Sequence, residues 1–145
     1  TTKSLRWLST RQLSIEHLSF SKDLDGLVVE ECVPRSPKLF KNVKTLAISA
    51  GPKVARTTIA SIANECTDLR SFSINGFKSN ADIQISAVVV RSPNLRTLNL
   101  SGCWALKDED ILKICRSCPR LEEVDLSACF AVTDDALTAL GKHCI

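Results

Sequence analysis

The chain repeats itself with a period of 26, and that period constrains its fold more than any other feature. Val43, Leu69, Leu95 and Leu121 stand one period apart. Three positions after each comes Leu46, Phe72, Leu98 and Val124, and two further on Ile48, Ile74, Leu100 and Leu126. Each unit therefore opens apolar-x-x-apolar-x-apolar. Later columns hold the same register: Ile59, Ile85, Ile111 and Leu137; Ile62, Val88, Ile114 and Leu140; Cys66, Ser92, Cys118 and Cys144. A looser copy starts at Ile15, with Leu18 and Phe20 in the strand columns, and its step to Val43 is longer than the others by two. Repeats with starts near 15, 43, 69, 95 and 121 thus span residues 15–145. Residues 1–14 lack the register and are expected to form an N-terminal cap or to belong to an upstream element.

Each unit changes period halfway. Leu95 to Leu100 ends in apolar/polar alternation, the mark of a short half-buried strand. Ile111, Leu112, Cys115 and Cys118 then follow helical spacing. Asp108 or Glu109, and Asp134 in the next copy, are placed to cap the helix or to favour its N-terminal dipole. Pro119 closes the helix, since proline cannot continue one. In the 15–42 copy, the run from Cys32 to Pro37 carries two prolines and predicts a short or broken helix. One such unit cannot bury its own apolar stripe, so stability requires stacking. Stacked strands stand ~4.8 Å apart while helices are ~10 Å wide. The array must then curve, with strands inside and helices outside. The expected fold is an α/β solenoid arc of about five repeats.

Two copies carry a fuller signature: Leu95-Arg-Thr-Leu-Asn-Leu-Ser-Gly-Cys103 with a closing Cys118-Pro, and Leu121-Glu-Glu-Val-Asp-Leu-Ser-Ala-Cys129 with Cys144. These resemble the cysteine-containing subtype of the leucine-rich repeat. That subtype is similar to the repeats of F-box/leucine-rich-repeat proteins, which hold substrates for ubiquitin ligation. The resemblance implies a non-enzymatic recognition module of an SCF-type E3 ligase, reaching a cullin-type adaptor through a region outside this chain. It departs from the pattern where Gly51 and Phe77 replace the turn cysteine, and no F-box helical sequence is present. The alternative is a scaffold or assembly factor of a chromatin, DNA-repair or organelle complex with no ligase link.

Composition narrows the classes. Apolar residues make up 44% and charged residues 24% of 145 residues, which excludes a disordered chain. No apolar run nears the ~20 residues of a membrane span, and no signal peptide opens the chain. The absence of any Met, initiator included, points to a segment of something longer. A net charge of +3 is too mild for nucleic acid. Seven cysteines with no secretory segment fit a reducing compartment, cytoplasmic or nuclear, with thiols acting as small buried hydrophobes.

The site residues follow from strand alternation. The outward columns read His17, Thr45, Ser71, Thr97 and Glu123; Ser19, Ala47, Ser73, Asn99 and Asp125; Ser21, Ser49, Asn75, Ser101 and Ser127. A small polar surface of this kind is either a solvated face or a shallow bed for a partner's backbone. Asn75, Thr97, Asn99, Glu123 and Asp125 are the candidates for directional bonds. Trp104 and Phe130 share a column after the turn, as partner anchors at the rim or as rings stacked between repeats. Cys103 and Cys129 are read as turn-filling thiols with an S–H bond to a neighbouring carbonyl, the alternative being redox or metal chemistry. Cys115-Arg-Ser-Cys118 lacks the second ligand pair that structural zinc needs. Lys44, Arg70 and Arg96, beside Glu16 and Glu122, form a short basic column, read as a solvated edge. Two His and five Gly assemble no catalytic constellation, so no enzyme, metal or cofactor is expected. The expected partner is a protein on the concave face or rim. No polar capping repeat follows Leu121, so further repeats or a partner are expected over that edge.

Overall fold

The computed structural model describes residues 14–20, 37–49, 56–77 and 85–144. Five strands alternate with helices: β1 (His17–Phe20), α1 (Pro37–Phe40), β2 (Thr45–Ser49), α2 (Arg56–Glu65), β3 (Ser71–Asn75), α3 (Ile85–Val89), β4 (Thr97–Asn99), α4 (Asp108–Ser117), β5 (Glu123–Asp125) and α5 (Asp134–His143). All strands run parallel in one open sheet in chain order. The register restates the period. His17 faces Thr45 across the longer first step; Thr45 faces Ser71, Ser71 faces Thr97 and Thr97 faces Glu123, each one period on. Just before each strand a backbone ladder continues the pairing. Lys44 N donates to Glu16 O, Arg70 N to Lys44 O, Arg96 N to Arg70 O and Glu122 N to Arg96 O, each at 2.8 Å.

The periodic apolar columns form the core between sheet and helices. Val43, Leu46, Ile48, Leu69, Phe72, Ile74, Leu95, Leu98 and Leu100 are buried from the strand side, Ile62, Val88, Ile111 and Ile114 from the helix side. In the last repeat Leu121 is still buried, Val124, Leu126 and Leu140 are half-buried, and Leu137 is exposed. No following unit lies over them among the described residues, and a repeat buries its stripe only against its neighbours.

The cysteines lace one repeat to the one before, as the turn column predicts. Cys103 Sγ donates to Ile74 O at 3.7 Å and Cys129 Sγ to Leu100 O at 3.2 Å, each reaching back into the preceding repeat. At the helix end, Cys118 Sγ reaches Ser92 O at 3.3 Å and Val89 O at 3.5 Å. Ser92 occupies the same column but turns its Oγ back to Val88 O of its own helix at 2.9 Å. The shorter hydroxyl stays within its own turn, where the thiol bridges two repeats.

One column escapes a reading based on hydrophobicity. Gly76 and Gly102 have φ of +76° and +73°, and Ala128, one period later, has φ +58°. Every described strand-to-loop turn here thus needs the left-handed region, which glycine enters freely and alanine does not. The Gly102 turn also lies close to its neighbour: a Cβ there would stand 3.4 Å from Gly76 Cα and N.

The helix caps differ from the sequence expectation. Lys107, not Asp108, is the N-cap of α4; its backbone N–H donates to Asp110 Oδ2 at 3.1 Å. Asp108 lies one residue inside the helix and turns to the next repeat. There it accepts from Thr133 N at 2.8 Å and Thr133 Oγ1 at 2.6 Å. Thr133, not Asp134, caps α5, accepting from Asp135 N. The acids keep their dipole role, since both first turns are acidic. At the other end, α4 stops at Ser117, with Cys118 as C-cap before Pro119. Residues 1–13, Ser21, Gly51 and the segment from Cys32 up to Pro37 lie outside the described residues.

Candidate protein interface

The outward columns of the sheet lie where alternation puts them. Thr45, Ala47, Ser71, Ser73, Thr97 and Asn99 are half-exposed, and His17, Ser19, Ser49, Asn75 and Glu123 exposed. The surface is small-featured over β2 to β4 and acquires charge only at β5.

Two of the candidate hydrogen-bonders are largely engaged by the fold itself. Asn99 Nδ2 donates to Asp125 Oδ2 at 2.9 Å, across adjacent strands. The Asn99 Oδ1 accepts from Ser101 N at 3.0 Å, and Asp125 Oδ1 accepts from Ser127 N at 2.9 Å. Each side chain thus closes the turn that follows its own strand, in the way Asx side chains do. The Ser127 and Asn99 bonds to its charged form hold the Asp125 carboxyl below the usual range. Asn75 donates to Ser73 Oγ at 3.4 Å within its own strand. Glu123 is different: it is exposed, and no side chain among the described residues pairs with it. Thr97 lies opposite it in the pairing register.

Trp104 and Phe130 come together. Their ring centroids are 6.0 Å apart with planes at 64°, an edge-to-face contact. The rings meet between repeats but do not seal the loop layer: Trp104 is 48% and Phe130 77% exposed. The other described aromatics, Phe20, Phe40, Phe72 and Phe77, are all buried. Both rings stand on the loops that follow β4 and β5, at the same end of the sheet as the Asn99–Asp125 pair.

The charged column before the strands is a ladder of pairs. Lys44 Nζ meets Glu16 Oε1 at 2.8 Å, Arg96 Nη1 meets Glu122 Oε1 at 2.6 Å, and Arg70 Nη2 lies 3.5 Å from Asp68 Oδ2. The Lys44 contact lowers the Glu16 carboxyl below its ordinary range. The Lys44 and Arg96 pairs join neighbouring repeats and the Arg70 pair lies within one; all are exposed and contribute little stability. Arg120 Nη1 adds a bond to Asn94 Oδ1 at 3.0 Å, again one period back.

The thiols are placed for structure. Burial pushes Cys66 and Cys118 up to about 12, and Cys103 and Cys115 up to about 11. A thiol held protonated is a poor nucleophile and a poor metal ligand. Among the described residues no three His, Cys, Asp or Glu side chains gather to hold a metal ion. No described helix is long and apolar enough to cross a membrane.

The reading of the sequence by apolar columns missed two features. The left-handed turn column had a signal, the two glycines one period apart at Gly76 and Gly102. The Asp108–Thr133 clasp had none, because its partners fall in different columns, one short of a full period apart.

The strand–turn–helix unit, parallel register and thiol-laced turns define the class by fold: a leucine-rich-repeat-like α/β array, with strands on one face and helices on the other. No family model matches the sequence, and no curated protein matches it. Among solved structures, the tropomodulin C-terminal domain of Caenorhabditis elegans shares the fold. Its TM-score is 0.63 at 10% identity, over 98% of this chain and 87% of that one.

Proposed function

We propose that this chain is a non-enzymatic protein-interaction module whose partner lies on the strand face and on the rim beyond the ends of β4 and β5. The observation that carries this reading is the pair Trp104 and Phe130, two large rings left 48% and 77% exposed beside a strand face of small polar side chains. Exposed aromatic rings in contact with one another mark a place that another molecule covers, and aromatic anchors dominate interface energetics. Thr97, Asn99, Glu123, Asp125 and Asn75 supply the polar surround. A shared fold with the tropomodulin C-terminal domain fits an interaction module and specifies no partner.

The finer reading is the substrate-recognition region of an F-box-like, SCF-type ubiquitin ligase component, with the cullin adaptor held by a region outside this chain. The support is the cysteine-type consensus at Leu95–Cys103 and Leu121–Cys129. The free thiols among the described residues suit the reducing cytoplasm or nucleus that such a ligase occupies. The test is affinity purification of the full-length protein, wild type against Trp104→Ala/Phe130→Ala. A cullin adaptor recovered with both, and a ubiquitylated target lost only in the double variant, is the expected result. A stable set of non-ligase subunits unaffected by the variant would replace this reading with that of a scaffold.

A further inference from the structure

We propose that Cys144 and Cys115 form a disulfide on exposure to peroxide, a reversible clamp between the last repeat and the one before it.

The stack brings these two thiols together. Cys118 and Cys144 are the C-caps of α4 and α5, and their backbone N–H groups donate to Ile114 O and Leu140 O, each at 2.9 Å. They occupy the same structural position one period apart. From that position Cys118 Sγ reaches back to Val89 O at 3.5 Å and Ser92 O at 3.3 Å. One period on from Val89 and Ser92 stand Cys115 and Cys118. Cys144 is therefore set over Cys115-Arg-Ser-Cys118 of the neighbouring helix, and its thiol lies within hydrogen-bonding reach of the Cys115 thiol. The repeat accounts for Cys118 and Cys144, whose column also holds Cys66 and Ser92. It does not account for Cys115, whose column holds Ala63, Val89 and Gly141.

The two thiols differ in the way such a reaction needs. Cys144 is half-buried and Cys115 buried, so peroxide meets Cys144 first. The O–O bond of hydrogen peroxide breaks as Cys144 Sγ bonds to one oxygen. Water leaves, and the sulfur, two electrons more oxidised, is a sulfenic acid. Cys115 Sγ then attacks that sulfur: the S–S bond forms, the S–O bond breaks, and hydroxide departs with the Cys115 proton as water. Burial, and then the neighbouring Cys144, push the Cys115 thiol up to about 11, which keeps its thiolate scarce. Contact with Cys144 offsets this by making the step intramolecular. Cys118 is turned away, its thiol engaged by Val89 O and Ser92 O. Cys103 and Cys129, also one period apart, donate to Ile74 O and Leu100 O instead. A thiol such as glutathione reverses the Cys144–Cys115 bond by exchange, so in a reducing compartment it is transient.

The test takes the reduced whole chain, treats it with equimolar hydrogen peroxide, alkylates the remaining thiols and digests without reductant. Trypsin cuts after Lys113, Arg116, Arg120 and Lys142, so the three thiols fall on separate peptides: 114–116, 117–120 and the one that starts at His143. The expected result is a predominant cross-link between the first and the last of these. It should disappear with dithiothreitol, and in Cys144→Ser, a change at a half-buried side chain that spares the core. The bond closes a loop of about 30 residues, so oxidation should raise the thermal midpoint of the wild-type chain and leave that of Cys144→Ser unchanged. A predominant Cys118–Cys144 link would overturn the proposal. So would chains joined to one another through Cys144, or Cys144 carried on to sulfinic acid while Cys115 stays reduced.

Discussion

The turn column Gly76, Gly102 and Ala128 makes a prediction whose sign reverses within one structural position. Ala128 is held at φ +58°, where an L-residue with a Cβ costs ~1–2 kcal/mol. Its side chain is exposed, so removing the methyl forfeits little burial. Glycine there relieves the strain but adds ~0.4–1 kcal/mol of unfolded-chain entropy. The balance for Ala128→Gly is a stabilisation of about 0.5–1 kcal/mol. Gly102→Ala runs the other way. It places a Cβ at φ +73°, 3.4 Å from Gly76 Cα and N, which are backbone atoms that cannot rotate aside. The strain outweighs the entropic gain, and the expected loss is about 0.5–1 kcal/mol. Guanidinium titration followed by far-ultraviolet circular dichroism reads both as midpoint shifts at unchanged slope. In a thermal scan the same changes amount to about 2–4 °C per kcal/mol for a chain of this size. A lowered midpoint for Ala128→Gly, or shifts of the same sign in both variants, would refute the idea that the turn demands a left-handed residue.

Further outcomes follow from the same geometry. Cys118→Ala should lose about 1–2 kcal/mol, chiefly through the buried void, since Val89 O and Ser92 O keep the Ser92 and Leu95 N–H donors; denaturant titration measures it. Maleimide labelling of the folded chain, mapped by mass spectrometry, should modify half-buried Cys144 before Cys66, Cys103 and Cys118, whose thiols are buried and pushed up to about 12, 11 and 12. Asp125, Asp108 and Glu16 all have folded-state carboxyls lowered by their partners. Their contribution is therefore fully present above the unfolded carboxylate pKa and is lost as pH falls through the lowered folded value. Unfolding midpoints should decline below about pH 4, and Asp125→Asn should flatten part of that decline. Phe130→Ala should cost under about 1 kcal/mol, against about 3–5 kcal/mol for Phe72→Ala in the core, so loss of binding in the former is not loss of fold.

Much of this was legible from residue order alone. The period named the strands and their register, because stacked units must align like with like. The apolar columns named the core, since a stripe that recurs once per unit can be buried only by its own neighbour. Cys103 and Cys129 were readable as turn thiols bonded to a carbonyl because their column set their position. The interface was less legible. Asn99 and Asp125 have the chemistry of partner-binding side chains, and only the stacked sheet shows them bound to each other and to their own turns. Glu123 has the same chemistry and is left unpaired by the described side chains. Trp104 and Phe130 read as rings stacked between repeats or as rim anchors, and the structure makes them touching and exposed at once. Asp108 reads as a cap until Thr133 of the next repeat comes within 2.6 Å. Periodicity is a local property, carried by which residues recur. Pairing across repeats depends on how far each side chain reaches at the spacing of the stack, and that distance exists only once the units are piled together.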